Sequence, residues 1–117
     1  HGDGLQSRDF THVDNVVLAN ELAGSTSNEE AFGQVFNVAC GNAVVLNDLV
    51  NTLKTELAQF DPSIAKIEIV NGPDRIGDIK HSLASIEKIN RLLGYSPAVH
   101  FEEGIKKTID WYWENRD

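Results

Sequence analysis

Two short stretches carry residue types that could bind a phosphate: Gly2-Asp3-Gly4-Leu5-Gln6-Ser7-Arg8-Asp9-Phe10 and Gly72-Pro73-Asp74-Arg75-Ile76-Gly77-Asp78. Each sets one arginine beside glycines and an aspartate. A guanidinium offers two parallel N–H donors and never deprotonates, so it suits a phosphate better than an ammonium does. Glycine between such residues lets the backbone come close to a ligand. We read the two stretches as two halves of one anion site. Taken singly, each is more often a surface ion pair, Arg8 beside Asp9 or Arg75 three residues before Asp78, and such pairs contribute little. Their joint occurrence is what favours a ligand.

The bulk composition points away from other partners. Lys and Arg total 10 against 18 Asp and Glu, a formal net charge of -8, whereas a duplex nucleic-acid surface needs clustered cations to displace counterions. An acidic balance is usually a solvated surface, and an anionic ligand then needs locally focused arginines. No apolar run approaches the roughly 20 residues of a membrane helix, so no membrane contact is expected. The single Cys40 has no disulfide partner and no signal sequence opens the chain, which favours a reducing, cytoplasmic setting. His1, His12, His81 and His100 lack metal-type spacing, so no metal site is expected. With 117 residues, 41% of them hydrophobic, residues 1–117 are expected to form one compact domain with a modest core.

The elements that must hold the arginines alternate in type. Asp14 is a good N-cap for a helix running to about Ala23, apolar on nearly every side and so wanting cover on two faces. Gln34–Ala39 reads as a short buried strand closed by Gly41, and Lys66–Val70 alternates as a second strand. Leu46, Leu49, Val50, Leu53 and Leu57 recur at helical spacing. Ser85 can cap a helix with Ile86, Ile89 and Leu93 on one face and Gly94 as its stop. A last helix starts with Glu102 and Glu103 at its positive end and carries Phe101, Ile105, Ile109 and Tyr112 on one stripe. Asp9 is expected as a loop hydrogen-bonder, Cys40 as a small core residue near a strand end, and Trp111 and Trp113 as part of a core or a domain interface. The order is α/β, yet two strands make a poor sheet alone. The first motif also opens with no complete element ahead of it, so we expect partner structure upstream of His1 and read the chain as the back half of an enzyme.

Four ordered blocks permit a family name: Ser7 to Val16 (SRDFTHVDNV), Val35 to Gly41 (VFNVACG), Arg75 to Ser82 (RIGDIKHS) and Leu92 to Pro97 (LLGYSP). Together, from Gly2 to Asn115, the chain resembles the C-terminal portion of extended short-chain dehydrogenase/reductases of the NAD-dependent epimerase/dehydratase family, closest to bacterial UDP-N-acetylglucosamine 4-epimerases. The fold this implies is a small α/β substrate-binding portion, helices with two or three short strands, with the Rossmann core missing. The sequence has no Gly-x-x-Gly-x-x-Gly turn and no Tyr-x-x-x-Lys pair, since neither Tyr95 nor Tyr112 has Lys four positions on. The resemblance therefore implies that NAD and the catalytic residues belong to the missing N-terminal domain and that this segment alone is inactive. By position, it implies that Arg8 and Arg75 reach the diphosphate of a nucleotide sugar and that Asp78 accepts hydrogen bonds from ribose hydroxyls. Ser82, four residues past that aspartate, lines the sugar pocket in the family, where tyrosine goes with hexose-only epimerases and a small residue leaves room for an N-acetyl group. A blander reading has Ser82 merely begin the turn before the helix at Ser85.

Two departures from the family pattern bear on local stability. Val44-Val45 stands where relatives often have a capping Thr or Ser, so the helix from Leu46 is expected to start less firmly or to borrow a cap from Asn47. Ser85 replaces a common aspartate, a mild change. Alternatives to the substrate are UDP-glucose or UDP-glucuronate in a 4-epimerase, or a dTDP-sugar in a dehydratase. Alternatives of another class are a free-standing nucleotide-binding module or a purely structural interaction domain. Relatives are often homodimers, through helices that lie mostly in the other half.

Overall fold

The structure is a computed structural model and describes residues 2–116; His1 lies outside them. Four α-helices and two short strands follow in the order β1 (Ser7–Arg8), α1 (Val13–Ser25), β2 (Val44–Val45), α2 (Leu46–Ala58), α3 (Glu87–Leu93) and α4 (Phe101–Asn115), with 3-10 turns at Glu29–Ala31 and Pro62–Lys66.

The four expected helices form, and their ends show how. His12, not Asp14, is the N-cap of α1: its ring Nδ1 accepts the Asp14 N–H at 3.0 Å, and Asp14 moves into the first turn. An imidazole nitrogen can serve here because all a cap must supply is an acceptor for an orphan N–H. The start of α2 needs no side-chain cap. The carbonyls of Gln6 and Gly4 take the Leu46 and Asn47 N–H groups at 2.7 and 2.9 Å, so the valines before it cost nothing and Asn47 instead sends its amide to the Asp3 carbonyl. Ahead of α3 the Ser85 hydroxyl accepts the Glu87 N–H at a long 3.4 Å. Gly94 ends that helix at φ 70°, its N–H on the Asn90 carbonyl. On α4, Ile109 is buried but Tyr112 is 55% exposed. Trp113 takes the next inward position, one helical turn after Ile109, and stacks on Phe60 with centroids 5.0 Å apart.

The two expected strands do not form. Gln34–Ala39 turns Phe36 and Val38 toward the core as a strand would, yet side-chain donors take the place of a ladder. Lys88 Nζ donates to the Val35 carbonyl at 2.9 Å and the buried Tyr95 hydroxyl to the Ala39 carbonyl at 2.8 Å. Ile67, Ile69 and Val70 beyond the Pro62–Lys66 turn stay exposed. Alternation describes a strand only when a neighbour supplies the paired edge, and among the described residues neither segment has one. The strands that do exist are too short for periodicity to reveal: β1 pairs antiparallel with β2, Ser7 opposite Val45 and Arg8 opposite Val44, and on its other side Ser7 bridges His81 in parallel.

The core sits between α1, the Glu29–Ala31 turn and α3, where Ala19, Ala31, Ile89, Leu93 and Tyr95 are buried. It is small for the chain. The radius of gyration is 17.2 Å, with extents of 53 × 35 × 21 Å, against about 13 Å for a self-contained domain of this length. The chain is thus more extended than a self-contained domain of its length, and apolar surface stays outside: Val13, Val16 and Val17 on α1, Val35, Val70 and Ile76 are all exposed. The 117 residues expressed alone are accordingly expected to self-associate, as static light scattering would show by a mass above the monomer; a clean monomer would mean the α1 face is tolerated in water.

Candidate functional site

The backbone of β1 is the seat of the site. Ser7 is buried, with β2 on one side and the 80–82 segment on the other: its N–H donates to the Lys80 carbonyl at 2.9 Å and its carbonyl accepts the Ser82 N–H at 3.0 Å. Its hydroxyl lies 2.8 Å from His81 Nδ1. This fastening brings the end of the second motif alongside the first. Farther out, the Gly2 N–H bonds the Gly72 carbonyl at 2.8 Å.

Between these fastenings the loop presents its polar residues. Arg8 Nη2 and Asp78 Oδ1 are 2.8 Å apart, joining the motifs across 70 residues of sequence, while Arg8 Nη1 donates to its neighbour's Ser7 carbonyl at 2.7 Å and reaches toward the Lys80 carbonyl at 3.4 Å. Gln6 Nε2 approaches the other Asp78 oxygen at 3.5 Å. Arg8 and Asp78 keep 31% and 23% of their side-chain surface open, so the pair is held by protein on one side and accessible on the other. Arg75 stands one turn away. Its carbonyl accepts the Asp78 N–H at 3.1 Å, with Gly77 at φ 79° in the third position, the signature of a type II turn. A Cβ on Gly77 would meet nothing within 4 Å, so the glycine is demanded by the left-handed backbone and not by lack of space. Arg75 is exposed, and its guanidinium has no hydrogen-bond or ion-pair partner among the described residues.

The four residues singled out from the sequence thus divide. Arg8 and Asp78 are in direct contact, Arg75 borders them through the turn, and Ser82 is exposed on the segment that follows, tied to Ser7 through its backbone N–H. They occupy an open face. A separate hollow of about 190 Å³ lies between the start of α1 and α4, lined by Phe10, His12, Cys40, Phe101 and Ile105 among others. Sequence reading missed Lys80 and Asp3, whose ammonium and carboxylate meet with both oxygens at 3.0 Å. Nothing in their spacing, 77 residues, could have announced the contact. The Leu5 N–H and then the Lys80 ammonium hold the Asp3 carboxyl below its ordinary range.

Behind the face, the remaining polar groups are structural. Asp9 turns away from Arg8 and accepts the Cys40 and Gly41 N–H groups at 3.0 and 2.8 Å, the loop-fastening role expected of it. Burial and the Asp9 charge push the Cys40 thiol up, and burial raises the Tyr95 hydroxyl. Both are neutral and engaged in the core. What the open face offers chemically is recognition: guanidinium donors for an anion, with a carboxylate beside them to accept hydroxyl hydrogens.

Comparison with known proteins gives this arrangement relatives. Residues 1–108 match the family model described as GDP-mannose 4,6 dehydratase. A UDP-glucose 4-epimerase of Thermotoga maritima, solved with UDP-glucose, superposes with a TM-score of 0.82 at 34% identity over 99% of this chain and 34% of its own. A UDP-N-acetylglucosamine 4-epimerase of Methanobrevibacter ruminantium M1, in complex with UDP-N-acetylmuramic acid, gives 0.80 at 33% identity over 97% of this chain and 34% of its own. A dTDP-glucose 4,6-dehydratase of Bacillus anthracis in complex with NAD gives 0.74 at 27% identity over 99% of this chain and 34% of its own. The chain spans about a third of the length of the curated relatives it matches.

Proposed function

The chain belongs to the extended short-chain dehydrogenase/reductases, in the family described as GDP-mannose 4,6 dehydratase, and on that premise we propose that it is the C-terminal, substrate-binding portion of an NAD-dependent UDP-N-acetylhexosamine 4-epimerase. The observation that carries the reading is the meeting of Arg8 with Asp78, with Arg75 a single turn away and its guanidinium without a partner among the described residues. In the proposed complex Arg8 and Arg75 grip the diphosphate, Asp78 accepts from the ribose hydroxyls, and Ser82 leaves space for the acetamido group. Binding energy gained at the diphosphate, far from the sugar C4, fixes the anchor about which the sugar can present either face.

NAD would take hydride from C4 and return it to the opposite face. The 117 residues contain no Gly-x-x-Gly-x-x-Gly turn and no Tyr-x-x-x-Lys, and on this reading the cofactor and the acid/base pair belong to sequence upstream of His1. The coding sequence tests this first. A continuous upstream frame of roughly 200 residues, about one Rossmann domain, with a glycine-rich turn and a Tyr-x-x-x-Lys is expected. A start codon just before His1 would sink the epimerase reading and leave a small nucleotide-binding module.

A second reading keeps the grip and changes the sugar, because relatives named for UDP-glucose and dTDP-glucose match at 34% and 27% identity, close to the 33% of the N-acetylglucosamine epimerase. Volume at position 82 separates them. In the full-length polypeptide Ser82→Tyr is expected to lower kcat/KM for the acetamido substrate at least tenfold while sparing the plain hexose, since a phenol ring would fill the space the acetyl group needs and overpacking is not easily relieved. An equal effect on both sugars would mean that position 82 does not select the acetamido group, and would favour the 4-epimerase or dehydratase acting on another sugar.

A further inference from the structure

The loop that carries Arg75 and Asp78 has little packing of its own. Every residue from 71 to 83 is exposed, Ile76 and Ile79 included. A ligand face built on such a loop must be positioned by something firmer, and the start of α2 is firm. Its Leu46 and Asn47 N–H groups hold the Gln6 and Gly4 carbonyls, the Asn47 amide holds the Asp3 carbonyl at 3.3 Å, and the Asp3 carboxylate closes a local turn by accepting the Leu5 N–H at 2.9 Å. Asp3 is therefore a carboxylate fixed to a helix end. From there it reaches Lys80 with both oxygens at 3.0 Å, and Lys80 is two residues past Asp78, with its own carbonyl between the Ser7 N–H and Arg8 Nη1.

We propose that Asp3 and Lys80 are a positioning pair, a clasp that ties the nucleotide-binding loop to the N-terminus of α2 and so holds Asp78 and Arg75 in register with Arg8. The proposal rests on the nucleotide-binding reading for what the loop does and on geometry for what the clasp does. It makes Lys80 a positioning residue, although a lysine beside two arginines invites the opposite reading, that of a third phosphate ligand. Asp3 decides between the two roles. If Lys80 were a ligand, neutralising Asp3 would free it and strengthen the grip; if Lys80 positions the loop, neutralising Asp3 releases the loop and weakens it.

The test uses the full-length polypeptide, unaltered and as Asp3→Asn, Lys80→Met and Lys80→Arg, with two readouts: amide hydrogen exchange across residues 72–82 and calorimetric titration with UDP. Asn at position 3 keeps an oxygen for the Leu5 N–H, so it removes the charge alone. Asp3→Asn and Lys80→Met are both expected to speed exchange of the Asp78 and Ser82 amides and to weaken UDP binding, each about two- to fivefold, the range for half-exposed pairs. Lys80→Arg should stay at the unaltered level, and 1 M salt should bring the unaltered protein to the exchange rate of Asp3→Asn. Unchanged exchange in Asp3→Asn, or tighter UDP binding by it, overturns the proposal. If the unaltered protein takes up no UDP, the nucleotide reading fails, and the exchange rates still decide whether the clasp exists.

Discussion

Arg8→Ala in the full-length polypeptide is expected to weaken UDP binding about a hundredfold. A hydrogen bond to a charged group contributes about 1.5–3 kcal/mol, and a hundredfold corresponds to about 2.8 kcal/mol. Two effects act in the same direction. The diphosphate loses a planar donor pair, and Asp78, now without the guanidinium at 2.8 Å, sets a bare carboxylate beside the incoming charge. The second effect predicts a non-additive cycle: adding Asp78→Asn to Arg8→Ala should restore part of the loss, while Asp78→Asn alone should cost affinity through the ribose. Arg8→Lys keeps the charge without the fork and should fall between. Calorimetric or fluorescence titration with UDP checks all four proteins. A change below threefold in Arg8→Ala would mean the arginine serves only its ion pair, as in a structural domain.

The largest effect on stability is expected at a residue with no apparent chemistry, Asn15. It is fully buried near the start of α1, and its amide ties down the segment before α4: the side-chain oxygen accepts the Ala98 and Val99 N–H groups at 2.9 and 3.0 Å, and the nitrogen donates to the Val99 carbonyl at 2.7 Å. Asn15→Leu strands those backbone groups, each at about 1–3 kcal/mol. A total near 3 kcal/mol or more, out of the 5–15 kcal/mol typical of a folded domain, is expected. The Cys40 thiol, 3.7 Å from the same carbonyl, is too weak a donor to replace the amide. Urea unfolding of the full-length polypeptide with Asn15→Leu would measure the loss; less than 1 kcal/mol would show that the segment finds other partners.

Neither Asn15 nor Tyr95 stands out in the sequence, and the reason is the same for both. Each has a buried polar end whose partner lies 83 or 56 residues away, and a hydrogen bond of that span leaves no periodicity and no spacing. The helices were legible for the opposite reason. Leu46 to Leu57 and Ile86 to Leu93 write their inward faces, half-buried in the first and buried at Ile89 and Leu93 in the second, at 3.6-residue intervals, and Gly94 announces the left-handed stop by being the residue that tolerates it. The ends were less legible: α1 takes its cap from His12 and α2 from distant carbonyls, because an orphan N–H accepts any oxygen or nitrogen that the fold delivers.

The sequence by itself determined the helices, the α/β class, the family and the pair of arginine motifs, since each rests on residue types at short spacing that chain chemistry reads locally. Only the tertiary structure decided that the apparent strands at 34–39 and 66–70 have no ladder, that the true pairing runs through Ser7, and that Arg8 meets Asp78 while Asp3 meets Lys80. Strand pairing and ion pairing are contacts between segments. Their energy depends on which edges and charges arrive side by side, and that is set by how the whole chain packs.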